Sequence, residues 1–322
     1  MPEFVLENEG YKATFSTKGA ELVSFIKKNK NVNKNKEYIW QADPDVWARH
    51  APILFPVVGK SKCAAGETPM GQHGFARDME FRLLFASEDS LMFQLTDNDD
   101  TMALYPYKFN LMVSYKLVGN TLKVTWQVIN PGEEDLPFSI GGHPAFIGKG
   151  TSLKNAALQF NFTEEELEKR AAEESATDAS AADASEADAS AADKSVANTL
   201  TYGLLDGGLL TDDTHTLELN DRNQVRLNGT FFDKDALIVE HHQCHSVTLL
   251  EDWQPLVRVD FDSPVFGLWS AAEKDVPFVC IEPWYGRTDR VAYEGSFADR
   301  EWANVLAPNS LFEAGWSMTF GK

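Results

Sequence analysis

The sequence predicts an all-β protein built as a large antiparallel sandwich with few short helices, and three observations carry that prediction. Apolar and polar residues alternate with period two on both sides of a Gly-Asn pair near residue 120, and the same alternation returns near the C-terminus. Long amphipathic helical stripes are scarce, so a parallel βαβ sheet is disfavoured.

The first of these elements runs from Leu111 to Val128. Val113, Tyr115 and Leu117 alternate with Ser114 and Lys116; Leu122, Val124, Trp126 and Val128 alternate with Lys123, Thr125 and Gln127; Gly119 and Asn120 lie between. That pattern predicts a half-buried β-hairpin. Val257, Val259 and Phe261 share one strand face, as do Phe312, Ala314, Trp316, Met318 and Phe320. Turn-forming clusters at Asn130–Gly132 and Asp206–Gly208 punctuate the chain. One domain over residues 1–322 is the expected organisation.

One stretch departs from the pattern. Residues 176–195 read ATDAS, AADAS, EADAS, AADKS, a five-residue repeat without a large apolar side chain, which cannot contribute to a core. Thr163 followed by Glu166 has the spacing of a helical capping box just before it. Residues 163–198 are therefore expected to form an acidic surface insertion with no part in chemistry.

Composition limits the function classes. The chain has 322 residues, 43% hydrophobic and 11% aromatic, ample for a sizeable core. Its net charge is -20, of which residues 163–195 supply -8 through 11 acidic and 3 basic side chains. Such a charge repels phosphate backbones and anionic lipid, so neither nucleic acid nor membrane is an expected partner. Cys63, Cys244 and Cys280 form neither a disulfide framework nor a zinc pattern. With no signal-peptide pattern at the N-terminus, the expected location is cytoplasmic.

Three segments concentrate groups that can move protons. His73 to Arg77 reads HGFAR, where Gly beside His implies a sharply turned backbone presenting an imidazole. In Ser139 to Phe146, two glycines precede His143 and a proline follows it, restricting the backbone on both sides. Cys280 to Arg287 sets Glu282 after an apolar run and beside two aromatics, so a carboxylate is expected at the end of a buried strand, where it is costly without a use. His241-His242-Gln243-Cys244-His245 suggests metal ligation, but on a strand neighbouring side chains point to opposite faces, and a solvated strand end is the preferred reading; no metal is expected.

Together these segments resemble the galactose mutarotase (aldose 1-epimerase) family, especially its LacX-like branch. The similarity extends through Trp47 to Lys60 (WARHAPILFPVVGK), HGFAR, Tyr105-Pro106-Tyr107, GGHPAF, Asp235-Ala236-Leu237, Gly267 to Ser270 and CIEPWYG, in family order over nearly the whole chain outside the insertion. The resemblance implies a β-supersandwich that interconverts the α and β anomers of a free aldose. It implies His143 as general acid at the ring oxygen, Glu282 as base at the C1 hydroxyl, His73 as a second ring-oxygen partner and Asp235 as a holder of sugar hydroxyls. Lys60 stands where the family usually has Arg, losing a planar two-point donor.

Mutarotation can be derived without the resemblance. Opening a hemiacetal requires a proton for the ring oxygen and removal of one from the anomeric hydroxyl, which one His and one desolvated Glu can do near neutral pH. No metal or organic cofactor is needed, and the only partner required is a small aldose, bound by a monomer or homodimer. Trp284 is the expected stacking surface for the sugar. Arg49, Lys60 and Arg77 could form a basic pocket, which keeps a hexose-6-phosphate mutarotase open as an alternative. A non-catalytic carbohydrate-binding protein is the other, and a glycosidase lacks a second carboxylate motif.

Overall fold

Period-two alternation builds the larger of two facing sheets. The computed structural model describes residues 3–29, 35–63, 66–67, 69–148, 152–163, 166, 168, 198–271 and 276–321. The expected hairpin forms as Asn110–Val118 and Thr121–Ile129, turning at Gly119 with φ 60°, a left-handed value that suits glycine. Its register places Val113 opposite Trp126, and the next pairing places Val124 opposite Trp316 of the strand Leu311–Phe320, all four buried. Burying each such side chain stabilises the fold by about 1.5–3 kcal/mol.

This sheet has nine strands and continues outward on both sides. Gln254–Phe261, Ser246–Glu251, Ala156–Asn161 and Gln224–Arg226 follow Leu311–Phe320, and Ser90–Thr96 and Arg82–Ala86 follow the hairpin. An eight-stranded sheet faces it, in the order Leu209–Glu218, Thr199–Asp206, Leu237–Val239, Val265–Trp269, Phe278–Tyr285, Ile140–Gly142, Ile53–Leu54, with Ala145–Ile147 also pairing Phe278–Tyr285. Every pairing between these strands is antiparallel. The core lies between the sheets, where Phe266 meets Phe261 at 5.2 Å and Phe160 at 6.5 Å between ring centroids. A third sheet of four strands, from Glu3–Glu7 to Lys36–Glu37, adds Phe25, stacked on Phe320 at 3.7 Å. The helical elements with bounds among the described residues are short: the 3-10 turn Ala76–Asp78 and the α-helix Asp99–Leu104, capped by Asn98. None of the described helices is long and apolar enough to cross a membrane.

The capping spacing before the repeat is used. The Glu166 carboxylate accepts from the Thr163 N–H at 2.5 Å, the Thr163 hydroxyl accepts from the Glu166 N–H at 3.1 Å, and Glu166 also meets His245 Nδ1 at 3.0 Å. The repeat at 176–195 lies outside the described residues. One local expectation fails: residues 241–245 are not a strand end. His241 and His242 carry φ of 71° and 52°, left-handed values that break the strand into a bend, so the alternating-face argument does not apply there.

Candidate active site

Register brings the acid and base candidates face to face. The strand Phe278–Tyr285 is buried along nearly its whole length, and alternation puts Cys280, Glu282 and Trp284 on one side. Gly141 pairs opposite Trp284 and Ala145 opposite Cys280, so the interruption between those two short strands sets His143 across from Glu282. His143 is anchored there by its N–H donating to the Pro52 carbonyl at 3.0 Å. Glu282 thus sits in mid-strand, not at a strand end as its sequence context suggested. The two glycines before His143 serve close packing as well as backbone restriction: a Cβ on Gly142 would lie 2.7 Å from Trp316, one on Gly141 2.5 Å from Trp284, and one on Gly267 2.6 Å from that same Trp284 indole. Trp284 is wedged between two strands that have no side chains at those points.

His73 arrives by the sharp turn its sequence implied. Its φ is 66° and that of Gly74 is 68°, and a Cβ on Gly74 would lie 2.3 Å from the Phe55 carbonyl oxygen, so only glycine fits. The Gly59 N–H donates to His73 Nδ1 at 3.0 Å, which fixes the tautomer: Nδ1 accepts, so Nε2 carries the proton. Gln72 lies 3.4 Å from that Nε2. Asp235, with φ 75°, accepts from the Ala236 N–H at 2.8 Å.

These groups line one cavity of about 320 Å³, with Arg77, Trp284, Trp47 and Trp269 among its walls. A larger hollow, about 420 Å³, lies between Ser152–Ala156 and Leu249–Asp252, but it contains no histidine. Inside the smaller cavity His143 Nε2 stands 3.2 Å from Glu282 Oε2, without the angle of a hydrogen bond, and Glu282 Oε2 and His143 Nδ1 have no hydrogen-bond partner. Buried polar atoms rarely go unpaired in a native interior, so the pair is poised for something that enters. Three rings hold the His143 imidazole: Trp47 stacks on it at 4.8 Å and 26°, while His73 and Trp269 meet it edge-on at 5.5 Å and 5.6 Å.

Burial sets the charge states. It pushes the Glu282 carboxyl well above the usual range, with Asp235 adding repulsion and Trp284 opposing only weakly. Burial also drives His143 down to about 3 against the pull of its own backbone, with Arg77 and Arg49 depressing it further. His73 is depressed well below 6.5 by burial, His143, Arg77 and Arg49. Burial thus disfavours the charged form of each of the three groups.

The basic residues divide. Arg77 lines the cavity, with Nε buried without a hydrogen bond 3.9 Å from an Asp78 oxygen and one amino group donating to the Gln72 carbonyl at 2.6 Å. Arg49 instead donates to both oxygens of Asp78, at 3.1 and 3.2 Å. Lys60 approaches from outside the wall: its methylenes pack near Gly208 and its N–H donates to the Thr288 hydroxyl at 3.1 Å. Trp47, Trp269, Gln72 and Thr288 are wall residues the sequence did not single out. Trp47 and Trp269 belong to the motifs quoted above, but only the tertiary fold places their rings on His143. Three donors of metal-ligating type also converge, His143, Cys280 and Glu282, with ligand atoms all within 4.8 Å of one another.

A family model described as Aldose 1-epimerase matches residues 2–293. The LacX protein of Lactococcus lactis subsp. lactis, in its plasmid form, is 30% identical over 331 aligned residues covering 98% of each chain. A putative glucose-6-phosphate 1-epimerase of Escherichia coli K12 is 25% identical over 130 residues, 37% of this chain and 41% of that one. Among solved structures, a galactose mutarotase related enzyme from Lactobacillus acidophilus superposes with TM-score 0.81 at 29% identity, covering 100% of this chain and 98% of its own. A galactose mutarotase-like protein from Lactobacillus casei shares the fold, with TM-score 0.77 at 24% identity over 99% of both chains.

Proposed function

This chain belongs to the aldose 1-epimerase family and is an enzyme of the carbohydrate epimerase type, and on that premise we propose that it interconverts the α and β anomers of a free hexose by opening and reclosing the ring. The observation that carries the reading is the 3.2 Å approach of His143 Nε2 to Glu282 Oε2, two buried titratable groups at the wall of a sugar-sized cavity.

Their closeness suits the reaction, because the ring oxygen and the anomeric hydroxyl are bonded to the same carbon. The acid and base need to reach neighbouring oxygens on one edge of the sugar. In the forward step Glu282 as carboxylate takes the proton of the C1 hydroxyl, the C1–ring oxygen bond breaks, and His143 as imidazolium delivers its proton to the leaving ring oxygen. The products are an open-chain aldehyde, a neutral carboxylic acid and a neutral imidazole. Rotation about C1–C2 followed by the reverse transfers closes the other anomer.

The pair therefore holds one proton that sits on His143 before opening and on Glu282 after it. Burial favours the second placement, so the reactive form is reached by first passing the proton from Glu282 to His143, and the opening step returns it. His73, with its proton on Nε2, is a neutral donor for the same ring oxygen or a neighbouring hydroxyl. Asp235 and Arg77 supply an acceptor and a donor for further hydroxyls, and the indoles of Trp47, Trp269 and Trp284 face the C–H surfaces.

A free sugar fits better than a phosphorylated one, because Arg77 is the one cation among the described wall residues, whereas phosphate is ordinarily held by several donors. Polarimetry of freshly dissolved α-glucose and α-galactose beside their 6-phosphates tests this. Faster decay with the free sugars is the expected result; acceleration confined to the 6-phosphates would reverse the choice, and acceleration of neither would remove mutarotation.

A further inference from the structure

We propose that Cys280 joins His143 and Glu282 to form a binding site for a thiophilic divalent cation of the zinc class, and that its occupancy switches the enzyme off. The switching rests on the mutarotase reading above; the binding does not. Cys280 and Glu282 are two apart on one strand and so face the same way, and His143 lies across from Glu282 on the neighbouring backbone. The three ligand atoms, one nitrogen, one sulfur and one oxygen, lie within 4.8 Å of one another.

That donor set selects the metal. A thiol with an imidazole and one carboxylate suits zinc and its softer relatives, whereas magnesium and calcium require shells of oxygen. Tetrahedral zinc, with bonds of about 2.0–2.3 Å, separates its ligands by roughly 3.3–3.8 Å. The imidazole–carboxylate distance of 3.2 Å is already close to that, so the sulfur makes most of the adjustment. Glu282 Oε2 has no hydrogen bond to give up. His143 and Glu282 both line the cavity, which leaves space beside them for an exchangeable fourth ligand, as in a zinc site with three protein ligands.

With His143 and Glu282 ligating, neither can transfer protons, so metal and turnover exclude one another.

The test uses the full-length protein stripped of metal, titrated with zinc chloride against a chromophoric chelator while mutarotation of α-glucose is followed by NMR in parallel samples. Wild type is expected to take up one tightly held zinc per chain and to lose mutarotation in step. Cys280→Ala, which removes a side chain outside the cavity wall, should weaken that uptake at least 100-fold while keeping its zinc-free rate. Cys280→Val serves the same purpose if the alanine variant folds poorly. Uptake in these variants as tight as in wild type, the result if the metal sits at exposed His241 and His242 instead, would overturn the proposal, and so would absence of stoichiometric uptake by wild type. A wild type that binds zinc but never accelerates mutarotation would leave the metal site standing and remove the functional reading.

Discussion

Two buried clusters of charge-bearing side chains, a few residues apart in sequence, are treated in opposite ways by this fold. Beyond the strand that carries Glu282, Arg287 donates to Glu240 at 2.7 Å and to the Thr288 carbonyl at 2.7 Å, and also pairs with Glu301. Arg300 donates to Asp289 at 2.5 Å and to the Arg287 carbonyl at 2.8 Å, and Trp302 donates to Glu240 at 2.7 Å. Burial alone would push Glu240 up, yet Arg287 with Trp302 and Arg290 holds it below the usual carboxylate value. For Glu282 nothing of comparable strength opposes burial, and it is driven well up. The charge-paired cluster holds Thr288, a residue of the cavity wall, through the Arg287 bond to its carbonyl. The other leaves Glu282 Oε2 and His143 Nδ1 without hydrogen-bond partners. Between these two clusters the difference is charge compensation: arginines meet the buried carboxylates of the first, and none among the described residues meets Glu282, while single unpartnered atoms such as Arg300 Nη1 and Trp126 Nε1 occur elsewhere in the interior.

Substitutions can sharpen or break that contrast. The largest effect is expected from Glu282→Gln, which should lower kcat for mutarotation by about 10²–10⁴, the range for one general acid–base group, with unfolding free energy unchanged or slightly higher. Urea denaturation beside polarimetry reads both, and a variant that unfolds early but turns over normally would invert the assignment. In the other cluster, Asp289→Ala strands Arg300 in the interior and should destabilise by about 3–5 kcal/mol, visible as a lower urea midpoint. Unaltered stability there would make the cluster dispensable.

Smaller effects come from the groups around His143. Trp47→Leu removes the ring stacked on the imidazole, which favours the imidazolium by about 0.5–2 kcal/mol, so the acid limb of the kcat–pH profile should move down while Trp47→Phe restores much of it. Unchanged profiles in both would reduce Trp47 to packing. The least effect is on acid stability. His73 and His143 are depressed below 6.5, so the unfolded chain binds more protons as pH falls from 6.5 toward about 3, and their contribution is present above 6.5 and lost below it. His73→Asn should flatten the fall in unfolding free energy between pH 7 and 5; the same slope as wild type would show that His73 is not held neutral.

The same contrast explains what could be read from sequence. Period-two alternation is local, so the hairpin at Asn110–Ile129 and the strand at Leu311–Phe320 were legible from residues alone. The turn at His73-Gly74 was legible too, because glycine beside a polar residue is a backbone signal. Register is not local: that His143 faces Glu282, and that Glu282 lies in mid-strand, follows from pairings between segments about 140 residues apart in the sequence. The two left-handed histidines at 241 and 242 defeated a strand argument that composition could not correct. Arg49, grouped with Arg77 by charge, is held by Asp78, a partner that only the folded chain brings near.

The central claim is that one proton moves within one pair, and the most direct measurement is the mutarotation rate of freshly dissolved α-glucose with His143→Asn, Glu282→Gln and the double variant. If the two groups act as a unit, the double variant should be no slower than the slower single one. Losses that multiply across the two substitutions would mean independent roles and contradict the account.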